Sequence, residues 1–308
     1  MSPLSHNIAL LVNPTAGKGR AARVAADVTE RMRQGGANVA ILVGTDAAHA
    51  QALARQAVDD GVDAVVALGG DGMVHLALNV VAGTSTPLGI IPAGTGNDLA
   101  NTLRLPAKNP VAAAGVVIDR LSGGGPRAMD AVRVGAPSLA AAGKPSPVWF
   151  GCVLGAGFDS RVNDRANRMS WPRGRRRYDL AMLAELRVFR PLPFVLELDG
   201  ERWETEAMLV AVGNAKSYGA GMKVTPDAEV DDGLVDVMVL SRVSKPEFLK
   251  TFPKVFKGTH VSHPAVTVRR ARVVSLSSPG VTAYADGEYL ADLPITCETV
   301  PGAVKVLA

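Results

Sequence analysis

Continuous apolar runs alternate with helical spacing over the first 125 residues of the chain. The runs place apolar side chains at successive positions, which is typical of strands covered on both faces. The segments between them repeat apolar residues at helical intervals, and one begins at a candidate helix cap, Thr45 or Asp46. This alternation predicts an α/β fold with a parallel sheet sandwiched by helices. The predicted strands are Ile8–Val12, Val39–Val43, Asp63–Leu68 and Leu88–Ile91.

The pattern changes after a glycine-rich segment, Ser122–Pro126, which we interpret as a hinge. The later apolar runs are short and are separated by Gly, Pro, Asn and Asp, which indicates an antiparallel β-sandwich. We therefore expect a first domain at residues 1–125 and a second, β-rich domain at residues 126–300. The second domain is expected to contain strands at Val148–Leu154, Phe194–Leu198, Met208–Val212, Leu234–Leu240, Val266–Leu276 and Val281–Tyr284, helices at Arg177–Val188 and Lys245–Phe256, and an exposed loop at Ala136–Pro147.

The composition narrows the class of protein. The chain has 308 residues, 47% of them hydrophobic, which is enough for a core in each of two domains. Its two cysteines, Cys152 and Cys297, form no CxxC pair, which argues against a disulfide framework or a zinc site. The apolar runs are interrupted by charges and no basic residue precedes an N-terminal apolar stretch, so neither a membrane-spanning helix nor a secretory signal is predicted. We expect a cytoplasmic protein, and the low aromatic content of 5% argues against nucleic acid as a partner.

Three glycine-rich loops follow predicted strands, and each opens a helix. They are Gly17-Lys18-Gly19, Gly69–Gly72 and Gly94–Asp98. Ligands of parallel α/β sheets bind at the carboxyl ends of strands, and a helix start offers unpaired N–H groups to a phosphate. The alternative to phosphate binding is that the glycines of these loops only form tight turns. The first loop lacks the spacing and the hydroxyl of a P-loop, and it stands four residues too far from its strand for a dinucleotide-binding fingerprint.

Asp71 is the informative residue of these loops. A carboxylate among phosphate-binding amides would repel the phosphate, so we expect Asp71 to act with Mg²⁺. A turn or helix-cap aspartate is the alternative, and for Asp98 capping is the favoured role. Thr95 and Asn97 are further candidates for contact with a phosphate or a hydroxyl.

Two acidic turns occur in the second domain. Asp227, Glu229, Asp231 and Asp232 precede Gly233, where the cluster is either a solvated turn or a cation site. Asp286-Gly287-Glu288 is typical of a hairpin turn, and Glu288 by itself is equally consistent with a surface carboxylate.

Positive charge is concentrated in residues 161–190. This stretch has nine arginines against three acidic residues, a local charge of +6 in a chain of net charge +4, which leaves −2 elsewhere. Met169, Trp171, Tyr178 and Leu180 lie among the arginines. The combination favours contact with anionic lipid headgroups. A solvated helix surface and an oligomer contact remain alternatives, and a homodimer is left open.

Taken together, the loops resemble the diacylglycerol kinase catalytic-domain family, which includes soluble bacterial lipid kinases, sphingosine kinases and ceramide kinases. The Gly69–Gly72 loop by itself is also found in NAD kinases and phosphofructokinases, whereas its combination with Pro92–Asp98 is specific. The resemblance continues along the chain and is similar to the actinobacterial type. It rests further on Asn13-Pro14, Gly155–Asp159, Val162–Arg168, Met182–Leu186, Gly213-Asn214, Tyr218–Met222, Pro226–Leu234 and Asp286–Glu288.

The resemblance implies an ATP-binding lobe, a β-rich lipid-binding lobe with the active site in the cleft between them, and a last strand near Ala303–Leu307 that returns to the first lobe. It implies Glu288 as the general base and Asp71 as the catalytic, Mg²⁺-associated aspartate. It also implies a structural Mg²⁺ held by Asp232 and by the backbone carbonyls of Glu229 and Leu234. The implied nucleotide-binding residues are Asn13, Gly17, Lys18, Gly19, Thr45, Gly70, Asp71, Gly72, Met73 and Thr95.

Two positions depart from the family pattern. Met73 replaces a threonine that many members have, and Asn101 stands where several have an arginine, which Arg104 would have to replace. The prediction is an ATP- and Mg²⁺-dependent kinase that phosphorylates the free hydroxyl of diacylglycerol and touches an anionic membrane surface. A kinase for another lipid, an NAD kinase and a non-catalytic regulator are the alternatives.

Overall fold

The computed structural model describes residues 6–14, 16–143, 147–169, 171, 175–219 and 221–308, without the side chains of residues 16–18, 175, 176 and 179. The chain forms two compact units. The first contains residues up to Ala131 together with Val300–Ala308, and the second contains Val132–Thr299. Each unit has a hydrophobic core of its own.

The first unit is a parallel sheet with the strand order β2-β1-β3-β4. Its strands are β1 His6–Val12, β2 Ala37–Leu42, β3 Ala64–Gly69 and β4 Leu88–Pro92, and its helices are α1 Ala16–Gln34, α2 Ala47–Asp59, α3 Asp71–Val81, α4 Asp98–Thr102 and α5 Pro110–Asp119, followed by a π-helical turn at Arg120–Gly124.

The predicted parallel sheet is confirmed, and the burial of its strands explains why the sequence predicted it. Every residue of β3 and β4 is buried, as the continuous apolar runs require. The strand β2 lies at the edge and exposes Ile41, and Val43, directly after the strand, is exposed as well. Of the two candidate caps of α2, the structure selects Asp46, whose carboxylate accepts the N–H of His49 at 2.8 Å. The C-terminal residues return to this sheet, where Val306 pairs with Leu88.

The second unit is built mainly from antiparallel strands, which confirms the predicted β-sandwich class. The strand β5, Arg127–Gly135, leads into it. The remaining strands are β6 Val148–Phe150, β7 Val153–Gly157, β8 Leu192–Leu198, β9 Glu201–Gly213, β10 Val235–Ser241, β11 Val266–Ala271, β12 Val273–Ser277, β13 Thr282–Ala285 and β14 Glu288–Asp292. The last strand, β15 Ile295–Val306, begins in this unit and ends in the first. The helices are α6 Pro137–Ala141, α7 Phe158–Arg168, α8 Arg175–Val188 and α9 Lys245–Thr251, with 3₁₀ turns at Phe252–Lys257 and Thr259–Ser262.

The long strand β9 organises the second unit. Its first half pairs with β8, and its second half pairs with β7 on one side and with β10 on the other. The alternating side chains of these strands enclose one apolar core, in which Phe150, Phe194 and Val210 are fully buried. The first half of β9 was missed because it alternates charged residues with half-buried ones.

Several predicted boundaries in this unit were wrong for local reasons. The run Val148–Leu154 is split because the N–H groups of Gly151 and Cys152 donate to the Asp286 carboxylate instead of a strand. The run Val266–Leu276 is split at Arg272, whose N–H donates to Asp199. The expected helix Lys245–Phe256 changes to a 3₁₀ turn after Thr251.

Two helices of the second unit were not predicted. Within the expected loop Ala136–Pro147, residues 137–141 form α6, which buries Leu139; residues 144–146 of that loop lie outside the described residues. The helix α7 buries Phe158, Val162 and Ala166 at a spacing of four, but charged and amide side chains fill the positions between them. Because this apolar stripe is narrow, the sequence pattern did not predict a helix here.

None of the helices in the described part of the chain is long and apolar enough to cross a membrane.

Candidate functional site

The candidate nucleotide-binding residues of the first unit lie at one edge of its sheet. Asn13 follows β1 and Thr45 follows β2, while the other two loops follow β3 and β4. These four strands are parallel, so their carboxyl ends share that edge. It is the edge at which α/β sheets bind their ligands.

The loops after β3 and β4 are packed backbone against backbone. The N–H of Ala93 donates to the carbonyl of Gly69 at 2.8 Å. A Cβ atom on Gly94 would lie 2.5 Å from the Cα of Gly70, closer than real side chains approach backbone. Glycine at position 94 is therefore required for the approach of the two loops.

The Asp71 carboxylate joins these two loops. It accepts the N–H of Asn97 at 3.0 Å and the N–H of Asp98 at 2.7 Å. Gly96 gives it room, because a Cβ atom there would lie 2.3 Å from Asp71 Oδ2. The repulsion argument from the sequence was thus incomplete, since loop amides already stabilise this carboxylate. Asp71 is also not the cap of α3, a position that Gly70 occupies.

Two asparagines shape the loop after β4, and sequence reasoning gave them no such role. Asn97 adopts a left-handed backbone (φ 56°), and its side chain bonds both the N–H and the carbonyl of Gly94. Asn101 donates to the carbonyl of Gly96 at 3.1 Å. The capping role expected for Asp98 is wrong: α4 begins at Asp98, Asn97 is its cap residue, and no side chain caps it.

Met73 packs against Gly69. A Cβ atom on Gly69 would lie 2.7 Å from the Met73 Cβ and 3.9 Å from the Asn13 Cβ, so the three residues meet where β3 ends. The N–H of Met73 donates to the Gly70 carbonyl at 3.0 Å within the first turn of α3. The methionine therefore fills space beside the loop.

The first glycine loop lies within the opening turn of α1, which begins at Ala16, so Gly17 is already helical. Gly19 has a φ of +80°, which glycine adopts without strain. The side chain of Lys18 lies outside the described part of the chain. Thr45 is exposed, with its N–H and hydroxyl 3.3 and 3.1 Å from Nδ1 of His49, and Thr95 is exposed as well.

The donor atoms around Gly96 fit Mg²⁺. The position of a Cβ atom on Gly96 is 2.3 Å from Asp71 Oδ2 and 3.4 Å from Asp98 Oδ2, so two carboxylates flank one glycine. Carboxylate oxygens are the protein ligands that Mg²⁺ prefers, and one or two of them suffice when phosphates complete the shell. Among the described residues, no group of three or more His, Cys, Asp or Glu is arranged to hold a metal without such help.

Glu288 opens β14 in the second unit. The turn before it has positive φ at both Asp286 (53°) and Gly287 (86°), so the predicted hairpin turn is confirmed. Glu288 is exposed and pairs with Ala285 across the turn. The Asp286 carboxylate accepts the N–H groups of Gly151 and Cys152 at 3.0 and 2.9 Å, which fixes the turn against the preceding strands.

The acidic turn at Asp232 is arranged around an arginine. One Asp232 oxygen accepts the Leu234 N–H at 3.0 Å, and the other contacts the Arg270 guanidinium. Arg270 Nε also lies 3.2 Å from Asp236, whose burial raises its carboxyl pKa although Arg270 opposes the shift. These contacts do not fit a metal at Asp232, because Arg270 supplies the countercharge. The metal role of Glu229, Asp232 and Leu234 therefore has no support from this geometry and stays a prediction.

Asp159 carries a perturbed carboxyl in the second unit. Burial raises the pKa of Asp159 to about 6, against a hydrogen bond with Tyr218 that lowers it. A Cβ atom on Gly155 would lie 2.5 Å from Asp159 Oδ2, so this glycine makes room for the carboxyl. Perturbed groups of this kind concentrate at functional sites, and only the family motif marked Asp159 in the sequence.

The arginine-rich stretch forms the helix pair α7 and α8. A cavity of about 370 Å³ beside it is lined by Arg161, Asp164, Arg165, Arg168, Met169 and Glu185. Arg165 pairs with Glu185 at 2.5 Å, whereas Arg161 and Arg168 form no ion pair with any residue that the structure describes. Apolar side chains nearby are exposed, among them Trp171 (78%), Leu183 (50%) and Val188 (63%).

We expect a Gly94→Ala substitution to separate the two packed loops. The added methyl group would meet the Gly70 backbone, and such overpacking costs about 1–3 kcal/mol of folding free energy. ATP affinity, measured by calorimetry, should fall with it. Gly123→Ala is the matched control, because nothing lies within 4 Å of its Cβ position. Equal ATP affinity in the two variants would show that loop contact is not required.

The two halves of the chain match two known families. Residues 7–134 match the diacylglycerol kinase catalytic domain, and residues 152–308 match the YegS C-terminal NAD kinase beta sandwich-like domain. A protein of Mycobacterium tuberculosis (strain ATCC 25618 / H37Rv) named diacylglycerol kinase is 45% identical over 301 residues, which cover 97% of this chain and 94% of that protein.

Two solved structures share the fold. The crystal structure of a diacylglycerol kinase from Bacillus anthracis str. Sterne has a TM-score of 0.72 at 19% identity and covers 98% of this chain and 96% of its own. An NAD kinase from Archaeoglobus fulgidus in complex with ATP has a TM-score of 0.55 at 11% identity, covering 99% and 94%. At these identities the likeness shows the fold alone.

Proposed function

Because the chain belongs to the diacylglycerol kinase family, we propose that it transfers the γ-phosphate of ATP to the free hydroxyl of 1,2-diacylglycerol and forms phosphatidic acid. The observation that carries this proposal is the Asp71 contact with Asn97 and Asp98, which joins two glycine loops at the ligand-binding edge of the sheet. Phosphoryl transfer depends mainly on alignment and charge neutralisation, and a rigid pair of loops provides alignment.

The nucleotide site consists of loop backbone more than of charged side chains. The first turn of α3 presents N–H groups and the positive end of the helix dipole to the phosphates. Lys18, by its charge, is our candidate to neutralise the transferred phosphate. The proposed contacts with ATP are Asn13, Gly17, Lys18, Gly19, Thr45, Gly70, Gly72, Met73 and Thr95.

Asp71 and Asp98 are the residues that would hold Mg²⁺ beside the phosphates. The ion, when bound, neutralises charge on the phosphate oxygens. Asp71 then has two functions, because its carboxylate also fixes the loop amides that define the site. No metal at Asp232 is needed for this arrangement.

Glu288 is the proposed general base. It accepts the proton of the lipid hydroxyl as the oxygen attacks the γ-phosphate. Its position at the start of β14, directly after a two-residue turn, places a carboxylate on an ordered and exposed hairpin. A hairpin fixed by the Asp286 carboxylate holds that base in a defined orientation.

We further propose that the protein is cytoplasmic and docks on anionic membrane through α7 and α8, since its acyl-chain substrate resides in a bilayer. Leu180, Leu183 and Val188 of α8 are exposed, whereas Ala181 and Leu186 of the same helix are buried. Arg161 and Arg168 of α7, which form no ion pair with any described residue, supply the charge that attracts anionic headgroups. Arg173 and the side chains of Arg175 and Arg176, which belong to the same stretch, lie outside the description.

Replacing Arg161 and Arg168 together by Gln is expected to weaken binding to phosphatidylglycerol-containing vesicles. Each basic residue near such a surface contributes about 1 kcal/mol, so the double variant should bind about 30-fold more weakly in co-sedimentation. The pair Arg33→Gln/Arg55→Gln removes the same charge from exposed positions on α1 and α2 of the first unit and should have a smaller effect. Unchanged co-sedimentation of the first pair would contradict docking through α7.

The substrate is tested by incubating the protein with ATP labelled in its terminal phosphate and a panel of acceptors. The panel contains diacylglycerol, monoacylglycerol, a sphingoid base and NAD, because the fold is shared with an NAD kinase. We expect the fastest labelling with diacylglycerol. Preferential labelling of NAD or of a sphingoid base would overturn the proposal.

A further inference from the structure

The hairpin that carries Glu288 has an irregular register next to this residue. Ala283 pairs with Ala291, whereas Tyr284 pairs with Tyr289, so Leu290 is an extra residue on β14. Such bulges increase the local twist and re-aim the neighbouring side chains. The Tyr284 and Tyr289 rings meet edge to face with their centres 6.0 Å apart. The base is thus adjacent to a tyrosine pair whose geometry departs from a regular hairpin.

Tyr284 connects this hairpin to α7. Its ring is buried, with 6% exposure, and its hydroxyl donates to Asp164 Oδ1 at 2.6 Å. Asn167, one turn further along α7, hydrogen-bonds the same hydroxyl. Burial, followed by the Asp164 contacts, raises the pKa of Tyr284 to about 12. The hydroxyl therefore remains a donor to Asp164 throughout the pH range of an activity assay.

In addition to the pairing of β13 with β7, two acidic side chains take part in attaching the hairpin to other parts of the second unit. On one side the Asp286 carboxylate bonds the amides of Gly151 and Cys152, and on the other the Tyr284 hydroxyl bonds Asp164. The second of these attachments reaches α7, where Asp164 lines the same cavity as Arg161 and Arg168. A shift of α7 would therefore be passed to Tyr284 and, along the hairpin, to Glu288.

We propose that Tyr284 and Asp164 are positioning residues for the general base, and that their hydrogen bond transmits the orientation of the arginine-rich helix α7 to Glu288. This inference rests on the proposed role of Glu288. Neither residue touches the reacting atoms. They keep the Glu288 carboxylate in the orientation in which it accepts the proton. Small displacements of a reacting group from that orientation reduce the rate strongly.

The test compares Tyr284→Phe with Tyr289→Phe. The first removes only the hydroxyl that reaches α7, and the second removes the hydroxyl of the paired ring, which bonds Asp292 on its own strand. We expect kcat to fall about tenfold in Tyr284→Phe, with the KM for ATP within about twofold of wild type, whereas Tyr289→Phe should change kcat less than about twofold. Equal kcat values for the two variants would overturn the proposal.

Two further variants separate positioning from mere stabilisation. Asp164→Asn keeps an acceptor oxygen for the tyrosine and should retain most of the activity that Asp164→Ala loses. In a Glu288→Gln background, Tyr284→Phe should have no further effect on the residual rate, because the residue acts through the base. A full tenfold loss in that background would refute the inference, whereas high activity of Glu288→Gln by itself would refute the proposed base.

Discussion

Replacing Glu288 by Gln is expected to lower kcat by about 10²–10⁴-fold, the contribution that a positioned general base makes. The amide keeps the size of the side chain and its place at the start of β14, but it cannot accept the hydroxyl proton. Because the nucleotide contacts proposed above all belong to the first unit, ATP affinity measured by calorimetry should not change. Steady-state kinetics with diacylglycerol in detergent micelles measures the loss.

Glu206→Gln is the matched control for this substitution. Glu206 is an exposed glutamate on β9 in the same unit, and its loss should leave turnover unchanged. If Glu288→Gln retained turnover within a few-fold of wild type, Glu288 would be an ordinary surface carboxylate, the alternative that the sequence left open.

Replacing Asp71 by Ala is expected to damage both the fold and the reaction. Two backbone N–H groups would lose their charged acceptor, which costs about 2 kcal/mol of folding free energy. The loops would also lose their connection and a candidate ligand for Mg²⁺, so kcat should fall by about 10³-fold or more. Thermal unfolding and steady-state kinetics on the same preparation measure the two effects.

Two variants separate these effects. Asp71→Asn retains one acceptor oxygen for the loop amides and should recover part of the stability, but not the activity that depends on charge. Asp63→Asn weakens another carboxylate–amide contact of this unit, the 2.7 Å bond to the Asn7 N–H, which lies at the start of β1 rather than at its carboxyl end. It should lower stability without changing kcat, and normal turnover of Asp71→Ala would contradict the assigned role.

The parallel sheet could be predicted from the sequence because burial on both faces leaves an unmistakable pattern. The strands β3 and β4 are apolar throughout and buried throughout, so the pattern and the structure coincide. The hydrophobic pattern of helix α7 indicates its structure less clearly. Its apolar stripe of Phe158, Val162 and Ala166 is narrow, and five of its eleven residues are charged, so the sequence pattern did not predict this helix.

The partners of the site residues could not be predicted, because they join distant parts of the chain. Asp71 was singled out correctly as unusual, yet the amides that stabilise it belong to Asn97 and Asp98, 26 and 27 residues further on. Every residue except proline has a backbone N–H, so the type of the residue that donates it does not reveal such a contact. The bond from Tyr284 to Asp164 joins two side chains, but it spans 120 residues, and the sequence does not indicate which distant acceptor a tyrosine hydroxyl bonds.

Arg270 shows the limit of reasoning from a motif. The acidic turn before Gly233 suggested a cation, and in the structure the positive charge that reaches Asp232 and Asp236 comes from a side chain of β11. The acidic cluster was visible in the sequence, but which cation balances it depends on the pairing of β10 with β11.

The central claim is that this chain moves the terminal phosphate of ATP onto a diacylglycerol hydroxyl. The most direct measurement mixes the purified protein with Mg²⁺, a short-chain diacylglycerol and ATP labelled in the terminal phosphate, and follows ADP and labelled lipid over time. We expect labelled phosphatidic acid in an amount equal to the ADP formed. Label that stays in ATP, or that emerges only as free phosphate while the lipid remains unlabelled, would contradict it.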